Sequence, residues 1–151
     1  MDMRKHTDYG NDNSINLKLV IALSRTHTSF ARSIQNFLTP YNLTTAQFGV
    51  LEVLYHLGDL KICELIDKTL STSGNMTVVI RNLEKEGLIT RHVNEDDRRA
   101  FVIGLTEAGR TLIKPVFDEH LFLLEDIFGR LTKEDKDALL ILLKKMNGIV
   151  D

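Results

Sequence analysis

The stretch Thr72–Gly109, TSGNMTVVIRNLEKEGLITRHVNEDDRRAFVIGLTEAG, changes its hydrophobic period halfway along. In its first half Met76, Val79, Ile80 and Leu83 recur at i, i+3, i+4 and i+7, the single apolar stripe of an amphipathic helix. Ser71 or Thr72 can cap that helix, and Gly87 ends it. Ser73, Gly74, Asn75, Thr77, Val78 and Arg81 then face outward. Beyond Gly87 the period falls to two. Residues 88–93 and 100–105 flank the charged hexamer Asn94 to Arg99, which reads as a β-hairpin with a polar tip.

Upstream, Thr44-Thr45-Ala46-Gln47 matches a capping box and opens a helix with a wide apolar face of Phe48, Val50, Leu51, Val53, Leu54 and Leu57, stopped by Gly58. A short helix follows from about Lys61, with Ile62, Leu65 and Ile66 on one face and no good capping side chain at its start. Thr69-Leu70-Ser71 reads as the turn before the next helix. Further out, Ile15, Leu19, Leu23, Phe30, Ile34 and Phe37 mark an amphipathic helix of about 24 residues, or about 36 Å, ending at Thr39-Pro40. Residues 1–13 read as a frayed, flexible arm. Downstream, Thr106 and Thr132 cap two more helices, and Pro115 should kink the first of these or split off its first turns. The second carries six consecutive apolar residues, Ala138 to Leu143. A helix so apolar around its girth needs cover on more than one side, and a second copy of the chain is the simplest source.

The expected fold is mainly α, with six helices and a small two-stranded wing. The winged helix-turn-helix occupies residues 44–106, and the helices at 14–39 and 107–150 serve dimerisation. The chain length of 151 residues suits one domain (14–151), and 43% apolar with 26% charged residues is the balance of a globular protein. No apolar run reaches the roughly 18 residues that span a bilayer, and Met1 to Asn16 is unlike a secretory leader. A cytoplasmic protein without a membrane partner is expected. The single cysteine, Cys63, rules out an internal disulfide and a multi-thiolate zinc site. The net charge of −2 announces no nucleic-acid partner, and residues 61–110 hold eight basic and eight acidic side chains, so any basic surface must come from geometry.

A helix about 10–12 Å across fits the major groove, and an arginine-bearing hairpin tip can enter the minor groove. Small residues in the first turn let the backbone approach the duplex, and its amides can hold a phosphate. Thr72-Ser73-Gly74 also reads simply as a helix-starting turn, but Gly74 costs about 1 kcal/mol of helix propensity relative to alanine unless something must come close. At the tip, Glu95-Asp96-Asp97-Arg98-Arg99 reads either as a solvated hairpin end or as a device in which Asp97 orients Arg99 toward a narrow minor groove.

Four blocks in order, Thr72 to Thr77, Arg81 to Arg91, Asp97-Arg98-Arg99 and Leu105 to Gly109, resemble the MarR (multiple-antibiotic-resistance regulator) family, and the flanking helix pattern extends the match over residues 15–150. The resemblance implies a homodimer that binds a pseudopalindromic double-stranded DNA operator, usually as a repressor, and that is released by a small phenolic or lipophilic effector or by an oxidant. The DNA-binding set is then Thr72, Ser73, Gly74, Asn75, Thr77, Val78, Arg81, Asp97, Arg98 and Arg99. Asn75 suits adenine, Arg81 suits guanine, and the Thr77 methyl suits a thymine methyl, with Ser73 a further base reader. Thr72 and Gly74 suit phosphate, Val78 an apolar base contact, and Arg99 the minor groove. Half-sites about 10–10.5 bp apart follow from a symmetric dimer.

For regulation, the family suggests a pocket between the first, second and fifth helices, with His27, Phe30, His56 and Phe117 as liners. Core packing explains the two phenylalanines equally well. Cys63 reads as a redox switch beside Lys61 or as a semi-buried small hydrophobe. The peroxide-sensing branch of the family keeps its cysteine in the first helix, where this chain has none. His27, His56, His92 and His120, with Glu52 and Asp59, lack metal-ligand spacing, so neither a metal nor another cofactor is expected. Ser24 with His27 is the one pair that resembles a nucleophile and base, and without an oxyanion turn it does not make an enzyme. The alternative function is a winged-helix protein-interaction module without DNA specificity. Such a wing would sooner expose aromatics, and this tip has none.

Overall fold

The structure, a computed structural model, describes residues 9–69, 73–94 and 101–149. Thr72, Asp97, Arg98 and Arg99, with Leu70 and Ser71 of the expected turn, lie outside the described residues. The elements run α1 (Asn11–Leu38), a 3-10 turn (Thr39–Tyr41), α2 (Thr45–Leu57), β1 (Leu60–Lys61), α3 (Ile62–Thr69), α4 (Ser73–Lys85), β2 (Ile89–Val93), β3 (Phe101–Leu105), α5 (Glu107–Phe128) and α6 (Lys133–Met146). The chain divides into two compact units, one ending at Asn36 and the other beginning at Phe37.

The first unit holds α1 up to Asn36. The helix begins three residues before the expected Ser14, after Gly10 at φ +80°, and the Asn13 amide donates to the Tyr9 carbonyl at 2.9 Å. Asp12 favours the positive end of the helix dipole there. This turn has no apolar period, which is why the pattern alone started the helix late. Along α1, Ile15, Leu17, Leu19, Val20, Ile21 and Leu23 are exposed.

The second unit holds the winged helix. As the sequence predicts, the Thr44 hydroxyl accepts from Gln47 N–H (3.1 Å) and the Gln47 carbonyl oxygen accepts from Thr44 N–H (2.9 Å). Its core joins Leu43, Phe48, Val50, Leu51 and Leu54 with Leu65, the stripe Met76, Val79, Ile80 and Leu83, and Ile89, Ile103, Ile113 and Val116. Leu57, expected on the apolar face of α2, is exposed. The short helix α3 lacks a capping hydroxyl but has a substitute, since Glu64 Oε2 accepts from Lys61 N–H at 2.7 Å.

The wing has three strands, where two were expected. The antiparallel order is β1-β3-β2, with Leu60 opposite Ile103, and Ile89 through Val93 opposite Leu105 through Phe101. β1 is two residues long, too short to show a period in sequence. The helix α5 runs unbroken through Pro115, so its first turns are not split off. Ile113 and Val116 are fully buried on either side, and that packing outweighs one lost backbone bond at an exposed position. The helix α6 starts on a Thr132–Asp135 capping box and buries no residue at all.

Candidate nucleic-acid interface

The helix α4 is held from below and leaves its upper face open. Met76, Ile80 and Leu83 are at most 1% exposed, whereas Ser73, Gly74, Asn75, Thr77, Val78 and Arg81 are all exposed. The Thr77 hydroxyl donates to the Ser73 carbonyl at 2.9 Å, which turns its hydroxyl into the helix and leaves its methyl outward. A Cβ at Gly74 would meet nothing within 4 Å. Nothing inside the described chain therefore requires glycine there, and the small residue leaves room on the outer side only. Arg81 makes no ion pair among the described residues.

Three contacts fix α4 and the wing to the body. The Gln47 amide lies 3.5 Å from Glu86 Oε1, tying the start of α2 to the residue just after α4. Arg91 Nε donates to Glu84 Oε1 at 3.3 Å, joining β2 to α4. The Thr106 hydroxyl donates to the Gly87 carbonyl and accepts from Gly109 N–H at 3.0 Å, so the residue that caps α5 also closes the wing. At the outer end of the wing, Val93 and Phe101 face each other across the strands, and both are exposed. The tip itself has no aromatic residue, but the strand beside it presents one.

The family model for the MarR family matches residues 43–101. The HTH-type transcriptional regulator MhqR of Bacillus subtilis (strain 168) is 32% identical over 130 residues, covering 86% of this chain and 90% of that protein. The chain belongs to the MarR family. This MarR-family regulator also resembles a solved mutant of E. coli MarR in complex with operator DNA, at TM-score 0.77 and 25% identity, over 93% of this chain and 99% of that one. A structure of Bordetella bronchiseptica BpsR, described with regulation of its DNA binding by 6-hydroxynicotinic acid, matches at TM-score 0.76 and 25% identity, over 86% of this chain and 98% of that one. The winged helix-turn-helix fold of the regulator is thus shown by sequence and by structure together.

Of the expected effector liners, His56 and Phe117 are brought together, with ring centroids 4.5 Å apart in an edge-on arrangement. His56 Nδ1 lies 2.8 Å from the Glu52 carbonyl oxygen. His27 and Phe30 lie on α1, in the other unit. Sequence reasoning passed over the centre of this cluster, His120. Its ring lies among Phe48 (5.0 Å), Phe37 (5.8 Å) and Phe117 (6.2 Å), it is buried, and its Nδ1 has no hydrogen-bond partner. Burial among these rings holds its imidazole below the ordinary titration range. Glu52 nearby is pushed the other way, above the usual carboxylate range, because burial disfavours its charge while His56 partly offsets that. Cys63 is exposed in the first turn of α3, which corrects its reading as a semi-buried hydrophobe. No described helix is long and apolar enough to cross a membrane.

Proposed function

We propose that this chain is a homodimeric repressor whose recognition helix reads a pseudopalindromic operator and whose hold on it is released by a small phenolic or lipophilic effector. The observation that carries the reading is the division of α4. Its apolar stripe is fully used by the core, while every residue suited to a base or a phosphate is left on the open face. Asn75 and Arg81 supply bidentate chemistry, Thr77 and Val78 supply apolar contacts, and Ser73 and Gly74 admit the backbone. On the family pattern alone, Thr72 is assigned to phosphate, Arg99 to the minor groove with Asp97 orienting it, and Arg98 to the same DNA-binding tip. The winged helix is assigned to residues 44–106.

Dimerisation is assigned to the helices at 14–39 and 107–150. In the second unit Leu121, Phe122 and Phe128 of α5, with Leu139 to Leu142 and Met146 of α6, are exposed together with Ile149. Monomeric chains rarely leave so many large apolar side chains open, and a second copy is the partner that matches them. The effector site is assigned to the His56 and Phe117 rings of the second unit. The solved BpsR, whose DNA binding is regulated by a hydroxylated aromatic acid, supports that chemistry.

A second reading has one observation in its favour. The exposed Val93 and Phe101 pair suits a protein partner as well as a deoxyribose edge. Fluorescence anisotropy separates the two readings, using a duplex selected by the protein from a random library beside a shuffled duplex, at two salt concentrations. The repressor reading expects about 10³-fold or more in favour of the selected duplex, with a steep salt dependence. Equal, weak binding to both duplexes would overturn it and favour the protein-interaction module.

A further inference from the structure

We propose that Asp59 and His92 form a positioning pair that sets how the wing stands against the helix-turn-helix body, and thereby sets DNA affinity; this rests on the DNA-binding reading above. Asp59 immediately precedes β1, which leads directly into α3, and His92 belongs to β2, which leads to the wing tip. The strand β3 lies between β1 and β2, so a side chain joining the two outer strands must cross the middle one.

The crossing point is Gly104. Leu60 pairs with Ile103 and Lys61 with Val102, which continues the register to place Asp59 beside Gly104, while Val102 pairs with His92 on the other side. A Cβ built on Gly104 would overlap the Asp59 carboxylate, with the carboxyl carbon only 2.8 Å away. The missing side chain leaves a lane over the middle strand. Through it Asp59 Oδ2 comes within 2.9 Å of His92 Nε2.

The pair has a counterpart on the other face of β2. Successive strand residues point to opposite faces, so Arg91 reaches Glu84 on α4 while His92 reaches Asp59 before β1. The strand is tethered on both sides, to α4 through Arg91 and, through His92, to the residue between α2 and β1. About half of the Asp59 and His92 side-chain surface is open to solvent, and an ion pair so exposed adds little to folding. Its consequence is geometric, in that it fixes the tilt of a strand whose far end carries the wing tip.

The other charged groups around His92 among the described residues are Lys61 on β1 and Glu64 on α3, with Glu64 bonded to the Lys61 amide. Both nitrogen and carboxylate are within direct bonding distance, so removing either side chain's partner atom releases the strand from the residue before β1.

The test uses the full chain and the duplex that the wild type itself selects. Asp59→Asn, His92→Gln and Gly104→Ala should each lower affinity roughly 2- to 30-fold. The two pair variants should keep the melting temperature within about 3 °C, and the double variant Asp59→Asn/His92→Gln should lose no more than either alone. Wild-type affinity in Asp59→Asn, or losses that simply add in the double variant, overturns the positioning role and leaves the repressor reading intact. Failure of the wild type to select any duplex overturns the repressor reading and this role with it.

Discussion

Gly109 in the first turn of α5 lies directly against the carbonyl oxygen of Leu88, so that a Cβ there would overlap the oxygen and sit 3.1 Å from a Leu105 methyl. That same carbonyl accepts from Thr106 N–H at 3.1 Å, so it cannot move aside without opening the closure of the wing. Gly109→Ala is expected to destabilise the fold by about 1–3 kcal/mol, the cost of forcing atoms into a filled site. Urea denaturation checks this, with a lowered midpoint at unchanged slope as the expected result. A midpoint equal to the wild type would mean that the joint can yield.

Replacing single contacts on α4 should separate recognition from holding. Asn75→Ala and Arg81→Ala are expected to relax specificity at individual base pairs by about 1–3 kcal/mol each, whereas Arg99→Ala should weaken binding to all sequences and flatten the salt dependence. Competition with duplexes carrying single base-pair changes is the measurement. Equal losses on selected and shuffled DNA for Asn75→Ala would remove it from the base readers.

Legibility in the sequence followed the strength of the period. The α4 stripe of Met76, Val79, Ile80 and Leu83 was readable because one buried face imposes one spacing, and the caps at Thr44, Thr106 and Thr132 were readable because their chemistry is local. The open face of α4 follows from the same stripe by subtraction. What escaped was non-local. β1 is two residues whose only reason to be a strand is β3, and Pro115 stays inside a helix because Ile113 and Val116 are anchored by distant partners. His120 looked like one polar residue among several, since nothing local reports that Phe37 and Phe48 close over it.

The exposed apolar rows predict the state of association. Light scattering at micromolar concentration should return twice the chain mass of 17.2 kDa. No residue of α6 is buried within the chain, so α6 has little reason to hold its place without a second copy. Leu140→Asp with Leu142→Asp places two charges in that surface and should shift the mass to a monomer or abolish folding, both visible by scattering and circular dichroism together. A wild-type mass of one chain would refute the dimer.

His120 gives a prediction about pH with a definite sign. Burial among Phe37, Phe48 and Phe117 lowers its titration below the ordinary value of 6.5, so the folded chain resists protonation that the unfolded chain accepts. Below that value the unfolded state binds the extra proton, and stability must fall as pH drops through the window beneath 6.5. Glu52, shifted upward, acts with the opposite sign at lower pH and does not cancel the effect near neutrality. His120→Phe removes both the titration and the orphaned Nδ1, so it should gain about 1 kcal/mol at neutral pH and lose less stability than the wild type between pH 7 and pH 5.5. Melting curves of the two proteins across that range provide the comparison. Parallel curves would show that His120 takes up its proton as readily folded as unfolded, which its aromatic enclosure should not allow.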